Sequence, residues 1–343
     1  MTIDNCTDKG YCVSDLINHE VKMNHPIQPL VSAVIPTKNR PSVVTRAVKS
    51  VLQQTFWRLE VVVVVDGPDP ATAKALQQID DPRLRVLVLP NSIGGAAARN
   101  AGVAMAEGEW IAFLDDDDEW LPQKIQLQID AANRSQAKFP IIACSVIAHT
   151  PHGEFIHPRR FPEVKEPLSE YILVRNSPGF GEGLIQTSGI FTSRELLRNV
   201  PFRDDLRKHQ DWDWLLRVAN LQGVEVQFVT EPLAIWYHSK TQKSVSNTYD
   251  WQYSLNWIKE NRSLVTRRAY ASFIMVEVGA QASAQGKWQE FLPLLWEAIR
   301  YGSPKPIDFL LCLGFWLVPR NTRRWLKGLL GEKQNLEQPL STI

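Results

Sequence analysis

Four successive carboxylates, Asp115, Asp116, Asp117 and Asp118, follow the apolar run WIAFL at residues 110–114. An apolar run ending in acid describes a buried strand that stops at a polar site. Carboxylates packed this densely repel one another and resist ionisation, a cost that a cation among them offsets. Such oxygen donors suit a hard divalent metal, Mn2+ or Mg2+, carrying a phosphate; the competing reading is a solvated acidic turn. A fifth carboxylate, Asp211, stands in His209-Gln210-Asp211-Trp212-Asp213-Trp214, where a helix is expected to begin. A helix start favours an anion, so Asp211 suits a proton acceptor or a plain N-cap. Asp213 lies two residues on, points away on the same helix, and reads as structural.

The elements that must carry these groups alternate. Residues 31–35, 60–65, 84–89 and 110–114 read as strands, with a fifth at 141–147. Residues 41–54, 72–79 and 96–106 read as the helices between the first four. This alternation predicts a parallel α/β sheet, and in open sheets of that kind ligands lie beyond the carboxyl ends of the strands. Residues 36–40, Asp66, residues 91–95 and the acid run all fall there. Residues 149–183 are rich in proline, arginine and glycine and suit long loops over a site. Beyond them, 184–192 and 224–229 read as strands, and 193–198 and 211–221 as helices. Residues 264–284 and 288–300 are expected to form an antiparallel helix pair.

Seven separated stretches occur in order: VSAVIPTKNR, SVLQQTF, EVVVVVDGPD, GGAAARNAG, GEWIAFLDDDDEWLP, LIQTSGIFTSR and HQDWDWLLRV. Over residues 31–251 this set resembles the motifs of the family 2 inverting glycosyltransferases. The resemblance implies the GT-A fold: a Rossmann-like, mostly parallel sheet flanked by helices, here with a C-terminal helical appendage. It implies an extension at 1–29 and a catalytic domain at 30–255, with a nucleotide-sugar half at 30–150 and an acceptor half at 151–255. The helical region would then run over 256–343.

The same resemblance assigns roles. Pro36, Thr37, Asn39 and Arg40 would contact the nucleoside, and Asp66 would accept from the N3–H of a uracil or thymine. The family's usual pair of aspartates is broken here by Val65. Gly94 and Arg99 would lie at the nucleotide. The acid run resembles the DXD motif; aligning Trp120-Leu121-Pro122 makes Asp117 the direct metal ligand, with Asp115 or Asp116 on the ribose or a metal-bound water. Asp211 takes the place of the catalytic base, although Gln210 stands where glutamate is common. Gln186, Thr187 and Ser188 would line the sugar pocket. Trp212 offers a flat face to a sugar ring or to the core, and His238 would reach the metal or the diphosphate.

The expected partners are a nucleotide-diphospho-sugar, most simply a UDP-sugar, and a glycan, lipid-linked or protein acceptor. With 38 basic and 37 acidic residues, the net charge of +1 gives no ground for a nucleic-acid partner. The cysteines at 6, 12, 144 and 312 are scattered without metal-ligand spacing. Residues 1–25 lack an apolar h-region, so a cytoplasmic setting is expected. Residues 309–318 are apolar and precede Arg320, Arg323, Arg324, Trp325 and Lys327. They are too short to span a bilayer and suit either an interfacial helix, with peripheral contact to the inner membrane surface through 307–330, or a helix docked on the protein itself. Two rivals share some of these features: a non-catalytic nucleotide-sugar-binding scaffold, and a nucleotidyltransferase, which would want glycines in the loop after the first strand.

Overall fold

The structure is a computed structural model and describes residues 31–151, 153–179, 181–237 and 250–318, with Thr322. Strand β1 (Val31–Thr37) lies between β2 (Leu59–Val65) and β4 (Trp110–Phe113), with β3 (Leu84–Val88) outside β2; all three pairings are parallel. Helices α1 (Pro41–Leu52), α2 (Pro70–Gln77) and α3 (Gly95–Met105) make the crossovers. Both proline starts suit the first helical turn, where no N–H partner is needed. Asp69 caps α2 by accepting from Thr72 N at 3.1 Å.

Side chains alternate across the sheet, and the two faces bury different helices. Val31, Ala33, Ile35, Val61, Val63 and Val65 join α1 and α4 (Lys124–Arg134) in one core. Val34, Val62 and Val64 face α3 on the other side. With neighbours on both edges and helices on both faces, every residue of β2 is buried, which explains its unbroken valine run. A Cβ on Gly102 would lie 2.5 Å from Val34 Cγ1, so only glycine lets α3 come this close to the sheet.

Past β4 the sheet becomes mixed. It continues through β8 (Phe191–Ser193), β6 (Phe139–Thr150), β9 (Val224–Tyr237) and the short β5 (Glu119–Trp120), while β7 (Gly153–His157) forms a hairpin with β6. Only the last residues of the strand expected at 184–192 are extended; Thr187–Gly189 instead form a 3-10 turn, held by side-chain bonds to the acid run. The strand expected to end at Val229 runs on to Tyr237. It passes Pro232 through a register shift against β6, which is how a strand tolerates a proline.

Helices α5 (Leu168–Leu173), α6 (Arg194–Asn199) and α7 (Gln210–Ala219) cover the α3 face. Helices α8 (Trp251–Glu260), α9 (Arg267–Ser272), α10 (Gly279–Ala284), α11 (Phe291–Tyr301) and α12 (Pro306–Leu317) pack on one another and, through α5, extend the same apolar cluster. A π-helical stretch, Phe273–Val278, joins α9 to α10. The C-terminal helices share one core with the sheet, running from Val34 to Trp316. No helix among the described residues is long and apolar enough to cross a membrane.

Candidate active site

The four aspartates leave the tip of β4 and divide by parity. Asp116 is buried; Thr37 Oγ1 donates to its Oδ2 at 2.7 Å and Arg40 Nη1 to its Oδ1 at 2.8 Å. Asp118 is 1% exposed and accepts from Ser188 Oγ at 2.6 Å, Gln186 Nε2 at 2.8 Å and Tyr237 N at 3.2 Å. Asp115 and Asp117 stay partly open. Arg99 Nη2 pairs with Asp115 at 2.5 Å, and Arg40 Nη1 reaches Asp117 at 3.1 Å. Burial raises the carboxyls of Asp116, Asp117 and Asp118 above their ordinary range, Asp116 to about 6. The neighbouring Asp115 charge raises all three further.

The open pair fits a hard divalent cation: two oxygen ligands side by side, with the Asp117 carboxyl raised first by burial and next by the charge of Asp115. Among the described residues no three His, Cys, Asp or Glu side chains converge as a metal site. A cation here would therefore complete its oxygen shell from phosphate and water, as Mg2+ commonly does. His238 lies outside the described residues.

Hydrogen bonds tie the ends of the parallel strands together. Asp66, at the end of β2, accepts from Ser92 Oγ at 2.8 Å, Ile93 N at 2.6 Å and Gly94 N at 3.1 Å. Gly94, at φ 92°, starts α3 in a conformation that favours glycine. Lys38 Nζ donates to Ser92 Oγ at 2.9 Å, and Asn39, itself at φ 54°, donates its N–H to Asp69 at 2.8 Å. The expected nucleoside contacts Pro36, Thr37, Asn39 and Arg40 thus occupy one loop, joined on one side to the acid run and on the other to the loop of Asp66. The Asp66 carboxylate already serves its own loop, so reading a base would use a remaining lone pair or displace Ser92.

The second half of the chain closes the site. Arg99 bridges it, donating to Asp115 and, through Nη1, to Gln210 Oε1 at 3.0 Å. Its Nε is buried without a hydrogen-bond partner among the described residues. Asp211 follows Gln210 at the start of α7, with Thr187 Oγ1 3.4 Å from its Oδ2 and Trp212 N 2.9 Å from its Oδ1. Burial raises its carboxyl, the Arg99 charge lowers it and the Asp115 charge raises it again, with a net rise. Gln186 and Ser188 stand beneath the acid run, 8% and 0% exposed, while Thr187 reaches towards Asp211. Trp212 lies 5.2 Å from His209, the rings nearly parallel, and edge-on to Phe273, so part of its surface belongs to the core. Asp213 is fully buried, bonded to Arg217 Nε at 2.7 Å, and has the structural role expected of it.

The family model described as Glycosyl transferase family 2 matches residues 32–200. These residues belong to glycosyltransferase family 2. It is 26% identical over 265 residues to the amylovoran biosynthesis glycosyltransferase AmsB of Erwinia amylovora, covering 75% of this chain and 85% of AmsB. It is 30% identical over 132 residues to WfgD of Escherichia coli, named as a UDP-Glc:alpha-D-GlcNAc-diphosphoundecaprenol beta-1,3-glucosyltransferase. That match covers 38% of this chain and 52% of WfgD. The fold is similar to that of S. aureus TarS 1-349, crystallised in complex with UDP-GlcNAc: TM-score 0.54 at 16% identity, covering 91% of this chain and 93% of the other.

Two features of this glycosyltransferase were not singled out from its sequence. His209 precedes α7 in the left-handed conformation, φ 63°, which a residue other than glycine rarely adopts. Its ring is 4.6 Å from that of Trp257, and Nε2 is 2.9 Å from Ser254 Oγ, which anchors the start of α7 to α8. Burial, aided by the Lys208 charge, lowers its pKa to about 3, so the imidazole is neutral. Only the HQD context hinted at it. Arg46 of α1 places its guanidinium 4.2 Å from the Tyr237 ring centroid and donates to the Asp117 carbonyl at 2.7 Å. Its position six residues after Arg40 carried no motif.

Proposed function

We propose that this glycosyltransferase moves a sugar from a nucleotide-diphospho-sugar, most simply a UDP-sugar, to an acceptor hydroxyl in cell-surface polysaccharide or glycoconjugate synthesis. The transfer is a single displacement that inverts the anomeric carbon. One observation carries the reading: Arg99 joins the acid run to the start of the Asp211 helix, so a metal-suited carboxylate pair and a candidate base are held together by one side chain. The loop of Pro36, Thr37, Asn39 and Arg40, with Asp66, Gly94 and Arg99, receives the nucleotide.

Asp211 removes the acceptor proton as the hydroxyl attacks, and its raised carboxyl makes it a stronger proton acceptor than an ordinary aspartate. Arg99 balances charge between Asp211 and Asp115. Thr187 and the open part of Trp212 border the sugar, with Gln186 and Ser188 holding that wall in place. Asp117, beside Asp115 or Asp116 and with His238, would hold Mn2+ or Mg2+, which when bound stabilises charge on the departing diphosphate. The acceptor is a glycan, lipid-linked or protein hydroxyl, met by a cytoplasmic enzyme peripheral to the inner membrane surface through 307–330.

Calorimetric titration with UDP, GDP, dTDP and CDP, with and without Mn2+, tests the donor site on the wild type and Asp117→Asn. The expected result is metal-dependent UDP binding that the substitution abolishes. Binding of no nucleotide under any condition would remove the transferase reading and leave a scaffold.

A further inference from the structure

Eight of the fifteen exposed large hydrophobic side chains among the described residues fall between Trp288 and Leu317. They follow helical spacing. Trp288, Leu292, Trp296 and Ile299 recur at four, four and three residues along α11 and the turn before it, 58%, 69%, 66% and 46% exposed. Leu310, Leu313 and Leu317 repeat the pattern on α12 at 64%, 43% and 67%. Trp288 and Phe291 pack edge-on against Trp316 on the buried side of α12, 5.5 and 5.4 Å between centroids, which fixes one helix relative to the other. Each helix buries its opposite side in the core through Leu294 and Ala298, or through Leu311, Cys312 and Trp316. A soluble surface rarely gathers this much apolar area without an occupant.

Charge indicates which occupant. Of the three acids of this region two turn inward: Asp308 is fully buried against Arg268, and Glu297 bonds Tyr270 Oη at 2.6 Å and pairs with Lys259 at 3.4 Å, while Glu290 stays half-buried. The bases Lys287, Arg300 and Lys305 are exposed. The sequence after Val318 adds Arg320, Arg323, Arg324 and Lys327 before the next acid, Glu332. An apolar face with tryptophans and a basic border matches the acyl–headgroup boundary of an anionic bilayer.

We propose that the exposed apolar stripes of α11 and α12 are a docking surface for an anionic lipid membrane, with α11 taking part alongside α12. The proposal rests on reading this chain as a peripheral glycosyltransferase and assigns the membrane contact to named side chains. The apolar face enters the headgroup layer, and the basic border pairs with lipid phosphates.

The test is co-sedimentation of the full chain with vesicles of phosphatidylglycerol and phosphatidylcholine, or of phosphatidylcholine alone. Hydrolysis of UDP-sugars is followed in parallel. Binding is expected to require phosphatidylglycerol and to weaken with salt. Leu292→Glu with Trp296→Glu should lower the bound fraction by on the order of tenfold or more while donor hydrolysis is kept. Lys287→Glu with Arg300→Glu should remove the preference for anionic vesicles without touching the apolar face. The proposal is overturned if the wild type ignores both vesicles, or if the paired substitutions at Leu292 and Trp296 leave binding unchanged. It is also overturned if ultracentrifugation finds a dimer that the first pair of substitutions dissociates, since a second copy would then cover the face. Vesicle binding without donor hydrolysis would instead sink the transferase reading and leave the surface intact.

Discussion

Two buried acidic sites sit at opposite ends of the same parallel strands. At the amino end, Glu60 of β2 accepts from Ser32 Oγ at 2.5 Å, Arg85 Nη1 at 2.7 Å and Glu107 N at 2.6 Å. Burial alone would raise its carboxyl, but these donors overcome burial and lower it. At the carboxyl end, burial is again the largest influence and raises the carboxyls of Asp116, Asp117 and Asp118, and the charges of neighbouring carboxylates add to the rise. The contrast separates a carboxylate that braces the fold from carboxylates held ready for a ligand. Burial and internal donors are common to both; the crowding of like charges at the carboxyl end differs.

The comparison breaks most sharply at Asp211. Asp211→Asn should lower kcat for sugar transfer by about 10²- to 10⁴-fold, the usual worth of a general base, with nucleotide binding kept. A base works only when ionised, so activity is lost as pH falls through its raised pKa. The acid limb of kcat/KM is expected above the ordinary aspartate value of about 4, and a limb at or below it would exclude Asp211 as the base.

Glu60→Ala tests the other end. Leaving Ser32 Oγ and the Glu107 N–H without their acceptor, and Arg85 with Glu107 alone, should cost about 1–3 kcal/mol in urea unfolding, with kcat unchanged in the folded protein. A loss of activity without loss of stability would reverse the assignment of the two ends.

His209 extends the comparison to a buried base. Its folded pKa, about 3, lies below the unfolded value of 6.5, so the unfolded chain binds more protons between these limits. Stability should then be fully present above pH 6.5 and fall on acidification, by at most about 1.4 kcal/mol per pH unit from this group. His209→Asn, which tolerates the left-handed backbone, should flatten that part of the profile; an unchanged slope would mean the imidazole is solvated.

The smallest effect is expected at Asp117. Asp117→Asn should stabilise the metal-free protein by about 1 kcal/mol or less in thermal unfolding, because it relieves repulsion with Asp115 while losing one contact to Arg40. Destabilisation would show that Asp117 braces the site as Glu60 braces the far end.

Much of the sheet was legible because its signals are local. The unbroken valines of β2 announced a strand covered on both faces, and Pro41 marked a helix start that the structure keeps; the helix expected at 72–79 starts two residues earlier, at Pro70 after its Asp69 cap. Asp213 was legible as structural from helical spacing alone. The second half was less so. The turn at Thr187–Gly189 exists because Gln186 and Ser188 bond Asp118 about seventy residues earlier in the chain, and β9 passes Pro232 because β6 shifts register beside it. Neither fact can be read from a short window.

The sequence by itself determined that acids end a buried strand, that strands and helices alternate, and that the motifs are those of family 2. Residue type and periodicity encode these directly, since each follows from polarity and from spacing of two or 3.6 residues. Tertiary structure alone decided how the acids divide: Asp116 and Asp118 turn to internal donors, while Asp115 and Asp117 stay partly exposed. It also decided that Arg99 meets Gln210 and that His209 carries a left-handed backbone against α8. Those outcomes depend on which distant donors lie within about 3 Å, a distance that only the packed chain fixes.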